Sequence, residues 1–200
     1  MASHALHAQA IDPHNNSAWA ENIGFLNFAS ASDPAGSQGV FAAPDYLKGY
    51  LWSENTGWVH LGSGGGPYHN SSGLDYGVNR DQGTGELSGF AWGENIGWVN
   101  FSGGSLTSPP NPARIESDRF MGYAWSENSG WINLDDDEVF VGVSACIVDL
   151  NNDGEIDFFD ISAFLTAFTM MDPIADFSPD GMFDFFDVSA FLNALSMGCP

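Results

Sequence analysis

The chain has 200 residues, 44% hydrophobic and 14% aromatic, with four Lys+Arg against 26 Asp+Glu for a formal charge of −22. Such content builds a packed core and excludes a disordered chain. The charge repels phosphate backbones and anionic lipid, which argues against nucleic acid and membrane partners, and no apolar run of about eighteen residues is present for membrane insertion.

The first residues, "MASHALHAQA", end in the Ala-x-Ala pattern of a signal-peptide tail. Residues 1–16 read as an N-terminal tail. The β domain of residues 17–140 then carries one motif four times: "SAWAENIGFLNF" at Ser17, "GYLWSENTGWVHL" at Gly49, "GFAWGENIGWVNF" at Gly89 and "GYAWSENSGWINL" at Gly122. Recurrence of this kind marks a repeat architecture. In each copy, aromatic and aliphatic residues flank an "ENxG" centre whose Asn and Gly suit the positive φ of a tight turn, so each is a β-hairpin. Short strands are expected before three of the hairpins, at "GVF" (Gly39), "YGV" (Tyr76) and "ARI" (Ala113). Mainly β structure follows: antiparallel hairpins and meanders in a sandwich-like domain.

The seven tryptophans, Trp19, Trp52, Trp58, Trp92, Trp98, Trp125 and Trp131, all lie in the repeats. They are either core and cross-strand packing of the sheet or stacking platforms for carbohydrate; fourfold repetition favours the first. A glycosidase needs two carboxylates in different environments. The four equivalent glutamates, Glu21, Glu54, Glu94 and Glu127, suit turns better than catalysis.

"YGVNRDQGTGELSGFAWGENIGWVNF" resembles a tandem repeat of secreted bacterial proteins, covering about Ser17 to Leu134. The resemblance implies an extracellular β-repeat.

From Cys146 onward there are ten acidic residues and no Lys or Arg, and "DLNNDGEIDFFDISAFLTAF" from Asp149 matches "DFSPDGMFDFFDVSAFLNAL" from Asp176. Numbered as a twelve-residue calcium loop, the first places Asp149, Asn151, Asp153, Asp157 and Asp160 at the oxygen-donating positions. Glu155 offers its backbone carbonyl, and Gly154 makes the sharp turn. The second repeats the pattern with Asp176, Ser178, Asp180, Asp184 and Asp187, and with Met182 at the carbonyl position. It is the weaker of two calcium sites, because Ser178 is the poorer ligand and Pro179 stiffens the loop. Helices follow at "ISAFLTAF" and "VSAFLNAL".

This segment, residues 145–200, resembles a type I dockerin of the kind common in planctomycete-type secreted proteins. The resemblance implies a small α-helical module folded by calcium that binds a cohesin domain through the loop-helix junctions, here Phe158, Phe159, Phe185 and Phe186. Cys146 and Cys199 bracket the module, and a disulfide between them would stabilise it by on the order of 4 kcal/mol in the chain-entropy model.

There is no nucleophile elbow, P-loop, dinucleotide fingerprint or zinc spacing. The expected function is a secreted, non-enzymatic structural protein, extracellular or at the cell surface, that self-associates head to tail as a homo-oligomeric fibre. The segment around Ala5, Leu6, Ala8, Ala10 and Ile11 would act as a donor strand for the next copy. The alternative is a dockerin-bearing protein that attaches a carbohydrate- or surface-binding β domain to a cohesin partner.

Overall fold

The computed structural model describes residues 9–29, 39–62, 65–153 and 155–198, the side chain of Pro13 apart. Its strands in chain order are β1 (Gln9–Ala20), β2 (Gly24–Asn27), β3 (Phe41–Ala42), β4 (Leu47–Lys48), β5 (Tyr50–Ser53), β6 (Gly57–His60) and β7 (Val78–Arg80), then β8 (Leu87–Gly93), β9 (Gly97–Asn100), β10 (Arg114–Glu116), β11 (Arg119–Met121), β12 (Tyr123–Ser126), β13 (Gly130–Asn133) and β14 (Val141–Ala145). Two helices follow, α1 (Phe158–Met170) and α2 (Phe185–Met197). The chain divides into two compact units, one spanning Gln9–Ser144 and the other holding the residues from Ala145 onward. The β unit thus starts ahead of Ser17, because β1 runs without a break through "QAIDPHNN".

The four repeats are the hairpins β1–β2, β5–β6, β8–β9 and β12–β13. Each also pairs with the next: β2 with β5, β6 with β8, β9 with β12, and finally β13 with β1. That last pairing closes the sheet, so the expected sandwich is instead an eight-stranded antiparallel barrel. Four equivalent hairpins, each presenting the same two edges, satisfy every edge by closing on themselves.

Closure dictates what goes inside. An eight-stranded barrel has an interior just wide enough to be filled by side chains. The first strand of each hairpin points small residues or one leucine inward (Ala18 and Ala20, Leu51 and Ser53, Ala91, Ala124 and Ser126), while the second points large ones, among them Leu26, Phe28, Val59, Val99, Phe101 and Ile132. Small and large strands alternate around the ring and leave a residual apolar cavity of about 10 Å3. Seven indoles and the Phe25 ring do not fit such a space. The tryptophans therefore occupy the outer face, which corrects the expectation that they form the core: Trp19, Trp92, Trp98 and Trp125 are among the exposed hydrophobic residues, and Trp52, Trp58 and Trp131 are half-buried.

The remaining strands extend the barrel core beyond one end. Strand β7 pairs with the first half of β8, and β3 and β4 form a hairpin that adds to the start of β1. On the other side of β1 lie β14, β11 and β10. Phe28 meets Phe120 edge to face with ring centroids 5.5 Å apart, joining the barrel core to this extension.

In the second unit, α1 and α2 are related by the 27-residue repeat of the sequence. Phe164 and Phe191, equivalent under it, stack face to face at 4.1 Å in a core that also holds Cys146, Val148 and Ala175. Each helix starts in a capping box, with Asp157 or Asp184 as N-cap and Asp160 or Asp187 three residues on.

Candidate functional site: an aromatic girdle and two acidic loops

Strand alternation sets the girdle. On the outer face each hairpin carries an aromatic pair directly across the ladder: Trp19 with Phe25, Trp52 with Trp58, Trp92 with Trp98, and Trp125 with Trp131. The first three pairs have centroids 4.8, 4.6 and 4.7 Å apart. Between hairpins the partner changes to a polar residue, since Asn27 faces Trp52, His60 faces Trp92, Asn100 faces Trp125 and Asn133 faces Trp19. Indole and amide or imidazole thus alternate around the barrel.

Two concavities open on this face. A groove of about 570 Å3 lies between the first two hairpins, walled by Trp19, Phe25 and Trp52 and lined with Asn27, Glu54 and Asn55. A pocket of about 300 Å3 is floored by Tyr76, Phe90 and Trp98 under the loop of Asn70, Ser71 and Ser72. Burial holds the His60 imidazole below its usual pKa; its Nδ1 lies 2.8 Å from the Tyr76 hydroxyl and its ring stacks on Tyr50 at 4.4 Å.

The "ENxG" turns gather at one end of the barrel. Their glycines, Gly24, Gly57, Gly97 and Gly130, take φ between +72° and +82° as expected, whereas the asparagines do not take positive φ. Each asparagine reaches the third residue of the preceding turn instead: Asn55 Nδ2 donates to the Ile23 carbonyl (2.9 Å), Asn95 to Thr56 (2.8 Å) and Asn128 to Ile96 (3.1 Å). Asn22 closes the ring through its backbone N–H to the Ser129 carbonyl (3.2 Å). Glu21 accepts from Trp131 N–H at 3.1 Å. The repeat is therefore written for contacts between hairpins as much as within them.

In the second unit the predicted ligand positions share one arrangement in both loops. Asp149 and Asp176 accept from the N–H groups of Asp153 and Asp180, which in turn accept from Glu155 and Met182. Asp160 accepts from Leu150 and Asp157 N–H, and Asp187 from Ser178 and Asp184 N–H, so that each buried carboxylate ties its loop to its helix. The Asp184 N–H, and after it that of Ser178, holds the Asp187 carboxyl below its ordinary pKa. Ser178 also donates its hydroxyl to Asp187 at 2.9 Å. Asn151 donates to Asp153 at 2.8 Å. Gly154 lies outside the described residues, among which no three acidic, histidine or cysteine side chains converge on one point. Phe158, Phe159, Phe185 and Phe186 stand at the helix starts, between 65% and 75% exposed.

Of the expected donor segment, Ala5, Leu6 and Ala8 lie outside the described residues, as does Cys199. Ala10 pairs with Phe41 of β3, and Ile11 is buried in the β core. Beside them Gln9 Oε1 accepts from the buried Arg80 guanidinium at 2.8 Å.

No protein-family model matches the sequence, and neither a curated protein nor a solved structure is similar to it. Among the described residues no helix is long and apolar enough to cross a membrane.

Proposed function

We propose that the protein is a secreted, non-enzymatic structural subunit that assembles head to tail into an extracellular fibre by exchanging the segment ahead of Asp12. What carries the reading is the seating of Gln9–Ile11. This short piece adds to β3, buries Ile11 and accepts one hydrogen bond from the buried Arg80 guanidinium through Gln9. Just past it, within β1, Asp12 Oδ1 accepts from His14 and Asn15 N–H at 2.7 and 3.2 Å. A segment with strand pairing, an apolar anchor and a polar anchor makes the same contacts in another copy when it swings out ahead of Asp12, and a heterologous exchange of this kind propagates.

Calcium is the second part of the proposal. The donor set fits a hard cation: Asp149, Asn151, Asp153, Asp157 and Asp160 with the Glu155 carbonyl in one loop, and Asp176, Ser178, Asp180, Asp184 and Asp187 with the Met182 carbonyl in the other. The ion would supply positive charge among carboxylates that otherwise repel. With the Ser178 hydroxyl engaged by Asp187, the second loop is the weaker site. A Cys146–Cys199 disulfide would clasp the same unit.

Deleting residues 1–11 tests the exchange. The truncated chain is expected to stay monomeric and to bind a synthetic 1–11 peptide, with Arg80→Ala weakening that capture. Fibres from the truncated chain, or no peptide binding, would contradict the proposal.

A further inference from the structure

The two concavities of the girdle are connected by an unbroken line of rings. From Trp52 in the groove it runs to Trp58 (4.6 Å), Tyr50 (6.2 Å), His60 (4.4 Å), Tyr76 (5.7 Å) and Trp98 (5.0 Å) in the pocket. The rings stand on β5, β6 and β9, with Tyr76 from the segment just ahead of β7, and from β2 to β9 four strand spacings amount to roughly 19 Å. That is the reach of a short oligosaccharide rather than of one sugar ring.

We propose that this strip binds a neutral glycan chain, lodged at one end in the groove of Trp19, Phe25 and Trp52 and at the other in the pocket of Tyr76, Phe90 and Trp98. Aromatic faces suit the apolar C–H faces of sugar rings, and both ends add groups for hydroxyls: Asn27, Glu54 and Asn55 in the groove, and Asn70, Ser71 and Ser72 in the pocket. Charge selects the occupant. Neither concavity contains a Lys or Arg, so an anionic polymer meets only repulsion there from a chain of net charge −22. The chain's four cations are engaged elsewhere: Lys48 over Phe41, Arg80 with Gln9, Arg114 with Glu116 and Arg119 with Asp135. A neutral polyhydroxyl chain has no such cost.

The site does not depend on fibre assembly and is tested on the full chain. Titration with cellohexaose, laminarihexaose and xylohexaose, with heparin as the anionic comparator, is read by tryptophan fluorescence and calorimetry. At least one neutral hexasaccharide is expected to bind and to shift the emission, heparin to be inert, and Trp98→Ala or Phe25→Ala to weaken binding at least tenfold. Trp131→Ala, off the strip, should leave binding unchanged. Phe25 is 55% exposed, so its truncation spares the fold even if Trp98→Ala does not. No binding by any neutral hexasaccharide, binding of heparin equal to that of the neutral chains, or equal loss in Trp131→Ala would overturn the proposal.

Discussion

Two residue types set the local geometry of the barrel. Gly97 sits at φ +72° with only Asn128 Nδ2, at 3.7 Å, near the position of a Cβ, so Gly97→Ala tests backbone strain with little steric clash. The left-handed conformation costs an L-residue roughly 1–2 kcal/mol, and urea unfolding should show a loss of that order. Gly89→Ala should cost more, because a Cβ there lies 2.3 Å from the Gly77 carbonyl oxygen. His60 is the second case. Its folded pKa lies below the unfolded value because burial disfavours the imidazolium, so its contribution is present above the ordinary histidine range and is lost as pH falls through the depressed value. Chemical denaturation between pH 7 and 5 should show that slope. His60→Asn, which installs the residue the other repeats carry at this place, should flatten it.

The hairpin is the element on which the barrel rests, and the bonds between turns are its least obvious part. Asn95→Ala and Asn128→Ala each remove one side-chain bond between neighbouring turns and should cost about 1 kcal/mol apiece. Their double variant should lose about the sum, since they act at different junctions. These elements were partly legible in the sequence. The repeat spacing and the glycine of "ENxG" located all four hairpins. The destination of the asparagines was not legible, because their partners lie 32 to 39 residues away in the preceding turn. The side of the sheet taken by tryptophan was legible in principle: Ala, Ser and Gly alternate with it in "FAWG" and "YAWS", and small residues belong inside a narrow barrel. That signal only has meaning once closure is known, and closure rests on the pairing of β1 with β13, over a hundred residues apart. In the C-terminal unit the periodic apolar residues located both helices, which start three residues ahead of those stretches, after the N-caps Asp157 and Asp184. Asp184→Ala should destabilise the second helix by about 1 kcal/mol through its lost cap.

For the whole molecule, calcium and the exchanged strand bear on the same outcome. If calcium neutralises the acidic loops, chelation should lower the thermal midpoint of the C-terminal unit, and Asp149→Ala should lower calcium affinity more than Ser178→Ala; calorimetry on the intact chain reads both. The segment ahead of Asp12 was read from the sequence as a tail and as a donor strand for another copy. Its seating against β3 and Arg80 could not be read there, because strand addition is decided by the edge it meets. Head-to-tail assembly through that segment is tested most directly by electron microscopy of the purified intact protein, with and without calcium chelation. Regular fibres are expected in calcium, and none when residues 1–11 are deleted. Monodisperse single particles from the intact chain in both conditions would contradict it.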